Sequence, residues 1–204
     1  MLLKIGSRGE QVKELQKLLH IYPDGIFGKL TDEAVREFQK ENNLKVDGIV
    51  GDKTWSVLTG GGSTIVKSKR RIDEIIVHCS ATAEGKDFTV SDITKWHKQR
   101  GFTTIGYHYV VYRDGSVHAG RDINVAGAHC TGHNTHSIGI CYIGGCAADG
   151  KTPKDTRTNA QRAALEITLR KLRTLYPKAK IHGHRDYAAK ACPSFPATEE
   201  YKKI

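Results

Sequence analysis

The run Gly60-Gly61-Gly62-Ser63-Thr64 divides this chain. Three consecutive glycines bury nothing and lose the most backbone entropy on ordering, so a helix or strand is not expected to pass through them. The chain must therefore build two cores. The first piece, residues 1–59, is small enough for its core to be marginal. The second is long enough for a medium domain. The spacing of apolar residues also changes across the cut.

Before the cut, residues 8–30 and 31–53 are related by a shift of 23. Val12, Glu14, Gln16, Lys17, Asp24, Gly25, Ile26 and Gly28 recur as Val35, Glu37, Gln39, Lys40, Asp47, Gly48, Ile49 and Gly51. Each unit reads as an amphipathic helix closed by an Asp-Gly-Ile-x-Gly turn. Val12, Leu15, Leu18 and Leu19 share one helical face, and Ala34, Val35 and Phe38 share the other helix's inner face. Ser7 with Glu10 reads as a capping box, Thr31 as the cap of the second helix, and Asp52 as the cap of a short third helix carrying Trp55 and Leu58. The expectation is a three-helix all-α module over residues 1–59, then a linker over 60–70 whose basic run, Lys67 to Arg71, is a solvated flank.

From residue 71 to 204 strands and helices alternate. Ile72 to Cys79 reads as a strand, and Ser91 to Arg100 as a helix with Ile93 and Trp96 inward. Ile105 to Arg113 and Ser116 to Ala119 form a hairpin across Arg113-Asp114-Gly115-Ser116. Ser137 to Ile143 is another strand, and Gly144 to Asp155 a loop. Thr158 and Gln161 open a long helix striped by Leu165, Leu169, Leu172 and Leu175, and Ala179 to Gly183 is a last strand. The class is α/β, a mixed central sheet flanked by helices, because the hairpin demands an antiparallel pair.

Chemistry concentrates after that last strand. His182-Gly183-His184-Arg185-Asp186-Tyr187-Ala188-Ala189-Lys190-Ala191-Cys192-Pro193-Ser194-Phe195 sets two imidazoles, an amine and a thiol in one turn-rich segment. Far upstream His78 ends the apolar run Ile75-Ile76-Val77. Zn2+ held by His78, Cys192 and one of His182 and His184 would keep a fourth position open, the arrangement of catalytic zinc, whose bound water has a pKa near 7.

The net charge of +10 sits in the second piece and its basic approach, since residues 1–59 carry nine residues of each sign. Such a surface suits nucleic acid, an anionic membrane or an acidic polymer such as a bacterial wall. No nucleic-acid recognition motif is present, and no apolar run approaches the roughly 20 residues of a membrane span. Five cysteines at irregular spacing argue for reduced thiols and against a disulfide framework. The N-terminus lacks the apolar core of a secretory signal, so synthesis without export is expected.

Two resemblances follow from these residues. The Asp-Gly-x-x-Gly repeat over residues 3–58 resembles the peptidoglycan-binding domain found beside cell-wall hydrolases. Val77-His78-Cys79-Ser80-Ala81-Thr82, Trp96-His97-Lys98, Gly106-Tyr107-His108-Tyr109, Arg113-Asp114-Gly115, Ala119-Gly120-Arg121-Asp122, Asn134-Thr135-His136-Ser137-Ile138-Gly139 and Lys190-Ala191-Cys192-Pro193-Ser194-Phe195 occur in order. Together, over residues 71–196, they resemble zinc-dependent N-acetylmuramoyl-L-alanine amidases of the phage T7 lysozyme type. That superfamily also includes peptidoglycan-recognition proteins.

The resemblance implies His78, His184 and Cys192 as zinc ligands, with His182 as the competing imidazole, expected nearer the rim. It implies Tyr107 and Lys190 as the catalytic pair, the phenol directed at the reacting carbonyl and the ammonium stabilising its oxyanion. Many relatives have a glutamate where Cys141 stands here, leaving Tyr107 and the metal-bound water to manage protons. His129 and His136 lie on loops expected to approach the cleft, where either could orient substrate or be an ordinary loop histidine. Cys79 is expected to face away from His78, and His20, His97 and His118 to be scaffold or surface. The implied activity is endolysin-like hydrolysis of peptidoglycan by a monomer that reaches the wall through a membrane hole or lysis. The alternative is a non-hydrolytic recognition protein, which typically lacks the third ligand.

Overall fold

The computed structural model describes residues 2–42, 44–58 and 65–204. The glycine run 60–64 and the side chain of Asp52, with its expected capping role, lie outside the described residues. In the first module α1 (Glu10–Leu18), α2 (Lys29–Glu41) and α3 (Asp52–Leu58) close on Leu3, Val12, Leu15, Phe27, Val35, Val50 and Leu58. Leu18, Leu19, Phe38 and Trp55 pack on its margin.

The sequence repeat reappears as a repeated hydrogen-bond hub. The Gln16 amide donates to Asp24 Oδ1, the Ile26 carbonyl and Thr31 Oγ1, and its oxygen accepts from the Gly25 N–H. Gln39 does the same with Asp47, Ile49, Thr54 and Gly48. Each glutamine thereby satisfies the buried polar groups of one glycine turn. Gly25 and Gly48 have φ of +78° and +69°, where a side chain would be strained.

Two capping expectations are corrected. Gly9 and Gly28 occupy the N-cap positions of α1 and α2, without a side-chain cap bond. Ser7 Oγ instead accepts from the Lys4 N–H, and Thr31 is committed to the Gln16 hub. Both hydroxyls are used by the turns before the helices start.

The second module contains β1 (Glu74–Cys79), β2 (Thr82–Ala83), α4 (Val90–Gln99), β3 (Tyr109–Val111), β4 (Val117–Ala119), β5 (Ser137–Tyr142), β6 (Gly145–Cys146), α5 (Asn159–Leu175), β7 (Lys180–Gly183) and α6 (Ala197–Glu200). Helix α4 starts behind Thr89, whose capping box with Asp92 sets the boundary, and α5 starts behind the expected box of Thr158 and Gln161. The main sheet has the order β4-β3-β5-β1-β7, parallel except for β3 with β4, so it is mixed as expected. Within the stretch expected to be a loop, Gly145-Cys146 pairs with Thr82-Ala83. Two residues are too few to show an alternation.

Strand periodicity decides what each face carries. Ile75, Val77 and Cys79 of β1, with Ile138, Ile140 and Tyr142 of β5, pack against Leu165, Leu169 and Leu172 of α5. Cys79 therefore lies on the sheet face opposite His78, as expected. Glu74, Ile76 and His78 alternate onto the other face, beside Ser137, Gly139 and Cys141 of β5. Ile93 of α4 packs there with Ile105, Val110 and Ile143.

Candidate metal centre

His78 stands one residue before the end of β1, and Cys141 is its Cα partner on β5. In open α/β sheets, ligands bind beyond the carboxyl ends of parallel strands, and the site lies there. The segment after β7 folds back over these ends. A short 3-10 turn, His184–Asp186, brings His184 to 4.6 Å from the His78 ring, centroid to centroid. The strand then yields to a turn stapled by the Arg185 N–H donating to the Cys192 carbonyl.

One nitrogen from each of His78 and His184 and the Cys192 sulfur all lie within 4.8 Å of one another. Nδ1 of His78 is 3.7 Å from Cys192 Sγ. Donors bound at about 2.0–2.3 Å around a tetrahedral ion would be about 3.3–3.8 Å apart, so this pair is already at ligand spacing. His182 takes no part: its Nδ1 faces Asp186 at 3.7 Å and its ring lies against Tyr187.

The donor chemistry fits a metal cation. Burial, then the neighbouring charges of His129 and His184, pushes His78 well below the usual imidazole range, leaving it neutral and able to donate a lone pair. His184 is lowered by burial and then by Lys190. Contact with the Cys79 thiol, followed by burial, pushes the Cys192 thiol up, a preference that a bound cation reverses by holding the thiolate.

His129, one of the two loop histidines expected near the cleft, supports the imidazole: His78 Nε2 is 3.1 Å from His129 Nδ1, and His129 Nε2 faces Ser137 Oγ at 3.4 Å. Ligand histidines are oriented by such a bond on the second ring nitrogen, which fixes the tautomer. Gly127 and Gly139 make room for His129, since a Cβ on either would overlap its ring. Asn134 Oδ1 accepts from the His129 and Cys130 N–H groups and holds the loop. Arg70 reinforces that loop by donating to the carbonyls of Ile123, Asn134, Thr135 and Ser137. Arg70 is thus a clamp inside the second module and not part of a solvated flank.

Tyr107 stacks beside the centre with its ring 5.1 Å from His78. Burial first, and the Cys141 thiol next, pushes its phenol well up, so it stays protonated. Cys141, hydrogen-bonded to Tyr107, is itself pushed well up by burial and is no base at neutral pH. Lys190 is exposed at the mouth, and its charge is felt by His78 and His184. His136 lies away from the centre, 3.5 Å from Glu74. His97 is scaffold, buried and accepting from the Gly106 N–H through Nδ1.

The glycine cradle, Asn134 and Arg70 are parts of the site that reading for reactive side chains overlooks. Asn134 and Gly139 fall in the Asn134-Thr135-His136-Ser137-Ile138-Gly139 motif, whose loop-holding chemistry shows only once folded, whereas Gly127 and Arg70 lie outside it and gave no such signal.

At the carboxyl end of a mixed sheet, two imidazoles and one thiol form a cluster that could hold a metal ion, and comparison with known proteins gives the family. The N-acetylmuramoyl-L-alanine amidase model matches residues 68–195, and the peptidoglycan binding domain model matches residues 8–58. The endolysin of Enterobacteria phage K11 is 45% identical over 127 residues, covering 62% of this chain and 83% of the relative. The endolysin of Escherichia phage T7 is 40% identical over 137 residues, 67% of this chain and 90% of the relative. Among solved structures, the amidase LysC of Clostridium intestinale superposes with a TM-score of 0.55 at 25% identity, covering 70% of this chain and 93% of that one. The chain belongs to the N-acetylmuramoyl-L-alanine amidase family.

Proposed function

We propose that this chain is a zinc amidase that hydrolyses the bond between N-acetylmuramic acid and L-alanine in peptidoglycan, its first module holding the wall. The carrying observation is the convergence of His78, His184 and Cys192 donors within 4.8 Å at the end of the sheet. Bound there, zinc would acidify a water molecule and polarise the substrate carbonyl.

The chain's own groups supply the rest. His78 Nδ1, a His184 ring nitrogen and Cys192 Sγ would hold the ion, with His129 fixing the His78 ring. The Tyr107 hydroxyl, held protonated beside His78, would donate a hydrogen bond to the substrate's carbonyl oxygen and serve as the proton donor toward the departing alanine nitrogen. Lys190 opposes the negative charge that grows on the same oxygen. The buried Cys141 thiol does neither. Cys192 beside His78 favours hydrolysis over recognition alone.

Phage endolysins among the relatives support action on a wall reached from the cell interior, through a membrane hole or lysis. Among the described residues, no helix is long and apolar enough to cross a membrane.

Purified walls digested with the protein should release intact stem peptides bearing a free N-terminal alanine, read by mass spectrometry. A chelator should abolish release and added zinc restore it. Cuts between sugars or within the peptide would overturn the assignment, and binding without release would favour recognition alone.

A further inference from the structure

Four residues before His78, on the same face of β1, lies a second group of metal-type donors. Glu74, His133 and His136 each offer one ligand atom, all within 4.8 Å of one another. Glu74 Oε2 is 2.8 Å from His133 Nδ1 and 3.5 Å from His136 Nε2. Donors around a tetrahedral ion with bonds of about 2.0–2.2 Å sit about 3.3–3.6 Å apart, so the Glu74–His136 pair is at ligand spacing and the Glu74–His133 pair would open by about half an ångström to admit one. The separation from the first centre is about 13 Å along the strand.

The second oxygen of Glu74 and the second ring nitrogen of His136 already have partners. Tyr187 donates its hydroxyl to the other Glu74 oxygen and stacks on His133 at 3.8 Å. Thr135 Oγ1 engages His136 Nδ1, leaving Nε2 turned toward Glu74. The His136 carbonyl accepts from the Asp73 and Glu74 N–H groups, which fixes the loop against the strand. Ligating imidazoles and carboxylates carry such outer hydrogen bonds. The three side chains are partly open to solvent, at 16–35% exposure, which leaves an entry path and room for water ligands.

We propose that Glu74, His133 and His136 form a second metal site, specific for a borderline divalent transition ion such as zinc. Two imidazoles and a carboxylate suit that class over calcium or magnesium, which prefer all-oxygen shells. The ion would staple the loop containing His129 and Asn134 to β1 and Tyr187. Its role is structural, since Tyr107 and Lys190 serve the other centre.

The test uses the untagged full chain, stripped by chelator and dialysed against zinc, with bound metal counted by mass spectrometry. The wild type should hold two ions per chain, and H133Q/H136Q one, while the double variant keeps its amidase activity. E74Q, a milder change, should lower affinity at the second site by at least about tenfold. Cobalt separates the sites without relying on activity. Titrated into C192S, it should still bind one equivalent and give no thiolate-to-cobalt absorption. If H133Q/H136Q binds as many ions as the wild type, whether that number is one or two, the cluster is a hydrogen-bonded group only and the proposal fails. A single ion lost in H133Q/H136Q and kept in C192S would instead leave this site standing and count against the first centre.

Discussion

Replacing Cys192 by serine conserves shape but exchanges a soft thiolate for a hydroxyl that stays protonated at neutral pH. The loss in zinc affinity should exceed the roughly 10–100-fold that follows removal of an outer-shell partner. Dialysis against a graded chelator series measures it, and retention of wild-type affinity would remove Cys192 from the ligand set. Tyr107→Phe should behave differently: metal content unchanged and kcat lower by about 10²–10⁴, the span of general acid–base contributions. A fall in metal content instead would make Tyr107 a packing residue. These candidates could be read in the sequence because histidine, cysteine and lysine carry their chemistry in the side chain. Gly127 and Gly139 could not be read so, since their contribution is the space they leave for His129. Arg70 misled for a related reason. Its neighbours Lys67, Lys69 and Arg71 make it look like one of a solvated run, whereas its bonds go to carbonyls more than 50 residues away.

At the scale of elements, the segment carrying Cys192 is held from behind by Arg157. Its buried guanidinium bridges Asp155 and Glu200, hydrogen-bonds the Tyr201 hydroxyl, and lies 3.2 Å over the Phe195 ring. Tyr142 adds a bond from its hydroxyl to the Pro193 carbonyl. Arg157→Met leaves Glu200 without its cation and Asp155 with only the more exposed Arg162; removing one partner of a fully buried pair typically costs about 3–5 kcal/mol, an upper bound here because both carboxylates are partly exposed. Urea denaturation should report a loss of that order, and one below about 1 kcal/mol would mean that the network is dispensable. Long helices and six-residue strands were legible because several periods of apolar spacing fall inside them. The pair β2 and β6, α6 and the turn at His184–Asp186 were not, since two to four residues hold no full period and tertiary contacts decide them. The N-terminal repeat was legible as a repeat, but the use of Gln16 and Gln39 as hubs was not, because a polar residue on a helix is ordinarily exposed.

For the molecule as a whole, two buried imidazoles outside the ligand set, His97 and His108, contribute to its behaviour in acid. Burial, then Arg100, pushes His97 down to about 4. Burial likewise pushes His108 down to about 4, with Arg70 among the groups lowering it further. An unfolded chain titrates both near the model-peptide value of about 6.5. Above that pH neither state is protonated and the two groups contribute no difference. Between about 6.5 and 4 the unfolded chain takes up protons that the folded chain refuses, so stability falls as the pH falls. Below about 4 both states are protonated and the penalty is complete, at up to about 7 kcal/mol for the pair on the scale of about 1.4 kcal/mol per pH unit. Replacing both residues by glutamine removes the titration while keeping a side chain able to hydrogen-bond. Urea midpoints of the metal-free protein should therefore decline more shallowly from pH 7 to pH 4.5 in H97Q/H108Q than in the wild type, whatever the absolute cost of the substitutions at pH 7. Parallel curves would show that these histidines are charged in the fold and that the acid sensitivity resides elsewhere.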